Sequence, residues 1–167
     1  MNMNKVEFHL NDYVINENNK ICRVVGTRLL PCEDFIEEPT QLLTIMWREN
    51  KDERSVTHVE EVPAIKVYGW SWTLDVLNRI GFKKGESLNT VVFRDMISRR
   101  SIVIDRTDGS LYAFKSSRHI MIDFVYVDYV HDIQHVFETA GIEFPNLSAW
   151  LFVENAKRKP PVRLHGV

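Results

Sequence analysis

A chain of 167 residues that is 44% hydrophobic and 26% charged has ordinary globular composition, which excludes a disordered, collagen-like or low-complexity polymer. The net charge of −2 argues against a strongly basic nucleic-acid binder. That total joins unlike parts, because residues 1–66 carry a net −4 and residues 67–167 a net +2. Acids gather at Glu33, Asp34, Glu37 and Glu38, and bases at Lys83-Lys84, Arg99-Arg100, Lys115 to Arg118 and Lys157-Arg158-Lys159.

Met1 to Tyr13 includes Lys5, Glu7, His9 and Asp12 and offers no apolar core for a signal peptide. The richest apolar window, Ile120 to Val127, is short and carries Asp123, so no membrane span is expected. The expected setting is cytoplasmic, with no membrane partner. Cys22 and Cys32 lack a CxxC partner and read as two buried free thiols.

From Asp12 onward the pattern is one of short strands. Tyr13–Ile15 and Ile21–Leu30 flank an Asn16-Glu17-Asn18-Asn19 turn and suggest a hairpin. Leu42–Trp47, Ser55–Val59 and Ile65–Tyr68 follow, and so many strands in so few residues predict a small barrel or a strongly bent sheet. Ser71 is placed to cap a helix over Trp72–Ile80 that stops at Gly81, with Val76, Leu77 and Ile80 on one side. Four strands come next: Asn89–Arg94, Ser101–Arg106, Leu111–Lys115 and His119–Val127. Asp108-Gly109 provides the strongest hairpin signal among them. In the last strand Ile120, Ile122, Phe124 and Tyr126 alternate onto one face.

Asp128 is the expected cap of a second helix, Tyr129–Ala140, ending at Gly141. Val130, Ile133, Val136, Phe137 and Ala140 form its apolar stripe. The predicted fold class is therefore α+β, a small N-terminal β-barrel-like lobe followed by an α-β-β-β-β-α lobe with an antiparallel meander. The expected bounds are 1–68 for the β lobe, 69–144 for the α+β lobe, and 145–167 for a C-terminal extension with a basic tail.

The chemistry-bearing residues are few. His131 and His135, at i and i+4, can hold a divalent metal, and HExxH uses that spacing in zinc hydrolases. Here Asp132 replaces the glutamate, and the wheel turns both imidazoles away from the apolar stripe. A catalytic zinc also needs a third ligand, which the sequence does not specify. No cofactor is expected beyond this weak metal possibility. Trp70 and Trp72, with Tyr68, stand at the expected lobe junction, where aromatics stack on a base or wedge two lobes together. Arg99 and Arg100 lie in one strand connection and Lys115 and Arg118 in another at the same sheet end, a candidate basic rim for phosphate contacts. There is no Walker motif, no GxGxxG after a strand and no GxSxG.

Two stretches carry a resemblance. Leu74 to Lys84, LDVLNRIGFKK, after the segment Glu60 to Ile65, and Tyr129 to Ile142, YVHDIQHVFETAGI, resemble small proteins of phages, prophages and related mobile elements of gut anaerobes. The opening Asn11-Asp12-Tyr13-Val14 is loosely similar to the start of their SH3-like barrel. The resemblance spans about residues 11–142 and implies no known activity; it also implies that the position of Asp132 is commonly an amide, which cannot act as a general base. Tyr68–Trp72 and the tail after Ile142 depart from the pattern. The leading expectation is a non-enzymatic accessory protein of a phage or mobile element that binds a protein or nucleic acid. The alternatives are a small-ligand or nucleotide sequestering protein acting in counter-defence, and a metal-dependent hydrolase using His131 and His135.

Overall fold

A computed structural model describes residues 8–31, 40–115 and 125–161. They fall into two compact units, one running to Trp70 and resuming at Ser148, the other comprising Ser71–Leu147. The segment beyond residue 145 is thus not a free extension, since its helix belongs to the first unit. Among the described residues no helix is long and apolar enough to cross a membrane.

The first unit holds β1 (Tyr13–Ile15), β2 (Ile21–Leu30), β3 (Thr40–Lys51), β4 (Arg54–Pro63) and β5 (Tyr68–Gly69) in one sheet of order β4-β3-β2-β1-β5. The expected barrel is corrected to an open sheet, with β4 and β5 at opposite edges. Two local causes account for this. β3 and β4 keep an unbroken antiparallel register from Leu42↔Pro63 to Lys51↔Arg54, turning through Asp52 and Glu53 at φ 50° and 64°. Such a tight turn with positive φ matches the twist of a long ribbon. Pro63, with φ −60° and no amide hydrogen, then ends β4, and Ala64–Lys66 form a 3-10 turn where a strand was expected. The turn between β1 and β2 is held by the Asn16 side-chain oxygen, which accepts from the amides of Asn18 (3.1 Å) and Lys20 (2.9 Å).

One face of this sheet buries Val14, Cys22, Val24, Leu43 and Ile45 with Phe8, Val62 and Val67. On the other face Tyr13, Arg23 and Met46 stand opposite one another across three strands. α3 (Ser148–Lys157) packs against β3 and buries Leu151 and Asn155, the latter bound to Ile21 of β2. The expected basic tail is tied down as well. Arg158 donates to the Asn19 side-chain oxygen (2.9 Å), and Lys20 donates to the carbonyls of Asn155 (2.8 Å) and Arg158 (3.0 Å). A cation at a helix C-terminus satisfies carbonyls that lack an intrahelical partner.

The second unit runs α1 (Leu74–Ile80), β6 (Lys83–Lys84), β7 (Thr90–Arg94), β8 (Arg100–Asp105), β9 (Ser110–Lys115), β10 (Val125–Tyr126) and α2 (Val130–Ala140). Its strands make an antiparallel sheet of order β10-β9-β8-β7-β6. The alternation expected over Ile120 to Phe124 lies outside the described residues. Thr73, not Ser71, caps α1, its hydroxyl accepting from the Val76 amide at 3.3 Å. Tyr129, not Asp128, is the N-cap of α2. Asp132 reaches back to accept from the amides of Tyr129 (2.9 Å) and Asp128 (3.1 Å), the carboxylate half of a capping box. Val91 lies opposite Ile104 and Phe93 opposite Ile102 on β7 and β8. The Phe93 ring meets Phe137 of α2 at 4.7 Å and Phe82 at 5.7 Å. Burying each such side chain is worth about 1.5–3 kcal/mol.

Candidate functional site

The connection from β7 to β8 is the most distinctive surface of the second unit. Asp95 folds it: the carboxylate accepts from the amides of Ser98 (2.9 Å) and Ile97 (3.4 Å), while the Asp95 amide donates to the Arg100 carbonyl at 2.9 Å. Hydrogen bonding by Ser98 holds the Asp95 carboxyl below the usual aspartate range. Arg99 closes the turn in the left-handed region at φ 56°. The result is an ordered tip on which Met96 is 84% exposed and Ile97 95% exposed. Arg94 and Arg99, both exposed, stand on either side.

The four expected rim cations do not act alike. Arg99 is exposed on the tip. The register sets Arg100 opposite Lys115. Arg100 nevertheless shares the strand face of Ile102 and Ile104, and its guanidinium donates to the Ala140 carbonyl at the end of α2. That is a helix C-cap, a structural use of the charge. Arg118 lies outside the described residues.

Trp70 and Trp72 have structural uses too. Trp70 is 3% exposed, edge-on to Tyr13 (6.3 Å) and tilted against Trp150 (5.8 Å), so neither ring face is open to a nucleotide base. The Trp72 indole N–H donates to the Val127 carbonyl at 2.7 Å.

The histidine pair departs from the helical wheel. His135 is half-buried, but His131 is 2% exposed, stacked on Tyr129 (5.4 Å, 9°) and edge-on to His135 (5.8 Å). The expectation that both imidazoles face away from the core is corrected for His131. The wheel describes only the side of a helix that lies on the sheet. Here the chain before α1 also passes the start of α2, where Ser71 bridges to Tyr129. Among the described residues no group of three or more His, Cys, Asp or Glu side chains is arranged to hold a metal.

Apart from Tyr68 and Trp70, sequence reasoning passed over the first unit. Glu49 sits between Lys20 (3.0 Å) and His58 (3.0 Å), and the His58 ring stacks on Trp47 (4.9 Å, 12°). The Lys20 hydrogen bond, followed by the charges of Lys20 and His58, lowers the Glu49 carboxyl below its usual range against the effect of burial. Beside this group an open cleft of about 50 Å3 is lined by Tyr13, Arg23, Met46, Trp47, Leu151 and Phe152, among others. The signal in the sequence was Arg23 itself, a charge inside the apolar run Ile21 to Val25.

Comparison with family models, curated proteins and solved structures found no match for this chain.

Proposed function

We propose that this chain is a non-enzymatic accessory protein of a phage or mobile element, and that it holds a macromolecular partner, protein or nucleic acid, through the tip between β7 and β8. The assignment to mobile elements rests on the sequence resemblance of residues 74–84 and 129–142. One observation supports the tip: two adjacent apolar side chains, Met96 and Ile97, are held almost fully exposed on a turn that Asp95 locks. Singly exposed apolar residues are ordinary, whereas an ordered apolar pair flanked by cations has the character of an interaction site. Arg94 and Arg99 favour an acidic surface on the partner, since opposite charge steers encounter.

A photo-crosslinking side chain in place of Ile97 tests the proposal in the organism that encodes the protein, with the exposed Glu86 position as the control. The expected result is an adduct at position 97 and none at 86; equal labelling, or none at 97, refutes it. Nuclease or protease digestion of the adduct then names the partner class. A nucleic acid would further show affinity falling steeply with salt.

A further inference from the structure

A long unpaired sheet edge invites another strand, and native sheets keep their edges short or break them with proline, bulges or charge. The two edges of the first unit's sheet differ in this respect. β5 has two residues, whereas β4 runs for ten and pairs with β3 without a bulge, its proline coming last. Among the described residues no strand pairs with the outer side of β4. All of its residues are exposed except Val56, His58, Val62 and Pro63. The hairpin also overruns its support: pairing of β2 with β3 begins at Arg23↔Met46, so the stretch from Trp47↔His58 to Lys51↔Arg54 is a two-strand ribbon. Two strands alone are marginal in water, and a third steadies them.

The turn fixes which backbone groups are available. In a hairpin closed by two residues the flanking pair, here Lys51↔Arg54, exchanges both hydrogen bonds. The N–H and C=O groups of Ser55, Thr57, Val59 and Glu61 therefore point away from β3. The bond from Arg48 Nε to the Thr57 hydroxyl at 3.2 Å agrees, since side chains approach closest in a pair without ladder bonds.

Charge selects the occupant. Arg54 and Glu60 share one face of β4 with Val56 and His58. Neither Arg54 nor Glu60 forms an ion pair among the described residues, whereas Glu61 is held by Arg28. A strand with a cation near one end and an anion further on complements its own antiparallel copy. With a residue of β4 on the two-fold axis, both faces and both sets of outward groups stay aligned. An axis at Thr57 sets Arg54 against Glu60 twice, Ser55 against Val59, and Val56 against His58, whose ring stacks on Trp47. An axis at His58 opposes the two histidines and sets Arg54 against Val62; one at Val56 sets Glu60 against Asp52; one at Val59 leaves Arg54 beyond the paired strand.

We propose that this protein forms a two-fold dimer by antiparallel pairing of β4 with β4 of a second copy, centred on Thr57.

Sedimentation velocity of the full chain from micromolar to millimolar concentration tests this, with a reversible monomer–dimer equilibrium expected. Thr57→Pro removes an N–H that β3 does not use, so it should abolish the dimer while near-UV circular dichroism stays native. Arg54→Glu and Glu60→Arg should each weaken association by roughly tenfold or more, because each turns attractive cross-strand pairs into repulsive ones. The double variant Arg54→Glu/Glu60→Arg exchanges the signs and should dimerise like the natural chain. If Thr57→Pro does not fold, the charge variants decide, both positions being exposed. A monomer at every concentration, a dimer indifferent to folded Thr57→Pro or to the single reversals, or no recovery in the double variant overturns the inference.

Discussion

Replacing Asn155 with Ala should unlatch α3 from the sheet of the first unit. Pairing of β2 with β3 begins at Arg23, so Ile21 has no partner strand on that side. The Asn155 side chain takes the strand's place: its oxygen accepts from the Ile21 amide at 2.8 Å and its NH2 donates to the Ile21 carbonyl at 2.9 Å. Both residues are almost fully buried, at 1% and 2% exposed. Each buried backbone group left without a partner costs about 1–3 kcal/mol. The adjoining cleft lets water soften the loss, which places Asn155→Ala at about 2–4 kcal/mol. Urea unfolding followed by tryptophan fluorescence reports mainly the first unit, where Trp47, Trp70 and Trp150 lie. With a typical urea dependence the midpoint should fall by roughly 1–2 M. Amide exchange at Ile21 should accelerate in parallel. Asn155→Asp keeps the acceptor and sets a carboxylate against the Ile21 carbonyl; it should be no better than Ala at neutral pH and recover in acid, where its proton can donate. A cost below about 0.5 kcal/mol, within ordinary surface variation, or unchanged Ile21 exchange would refute the latch.

Four other outcomes follow from the same geometry. The folded state lowers the Glu49 carboxyl, so its contribution is fully present above the ordinary glutamate range and is lost as pH falls through the depressed value. Glu49→Gln should therefore destabilise at neutral pH, by about 1–2 kcal/mol, and flatten the acid limb of a stability-against-pH curve. Gly141→Ala should cost about 1–2 kcal/mol in thermal or chemical unfolding, because Gly141 has φ 66° and an added Cβ would meet the Arg100 guanidinium at 2.8 Å. Burial pushes the Cys22 thiol up to about 12, so iodoacetamide should label it only at the rate of unfolding, as mass spectrometry of the Cys22 peptide, which separates it from Cys32, would show. Met96→Ser combined with Ile97→Ser should leave stability unchanged, both side chains being exposed, while weakening any partner captured at the tip by about a hundredfold.

How far the sequence could be read depended on whether a residue's neighbours were local. The α+β class, the β1–β2 hairpin, the meander and the glycine ends of α1 and α2 follow from spacing and turn chemistry within a few residues, and these are present. What escaped depends on contacts made over long stretches of chain. Residues 148–157 take in most of the apolar cluster Leu147–Val153, but nothing local says what it packs against, so the stretch reads as an extension before a basic tail. Their anchor is Asn155, which meets Ile21 across 134 positions of sequence, and no periodicity announces such a pairing. Arg100 was read by its place in a loop, although its distance of two from Ile102 already put it on the covered face. His131 was read by a wheel that knows one neighbour, while the residues around the helix start supply a second. The same logic governs the site. Charge clustering drew attention to exposed cations, which water satisfies. Arg23 is isolated in an apolar strand, and only the fold reveals that its burial leaves an acceptor wanting.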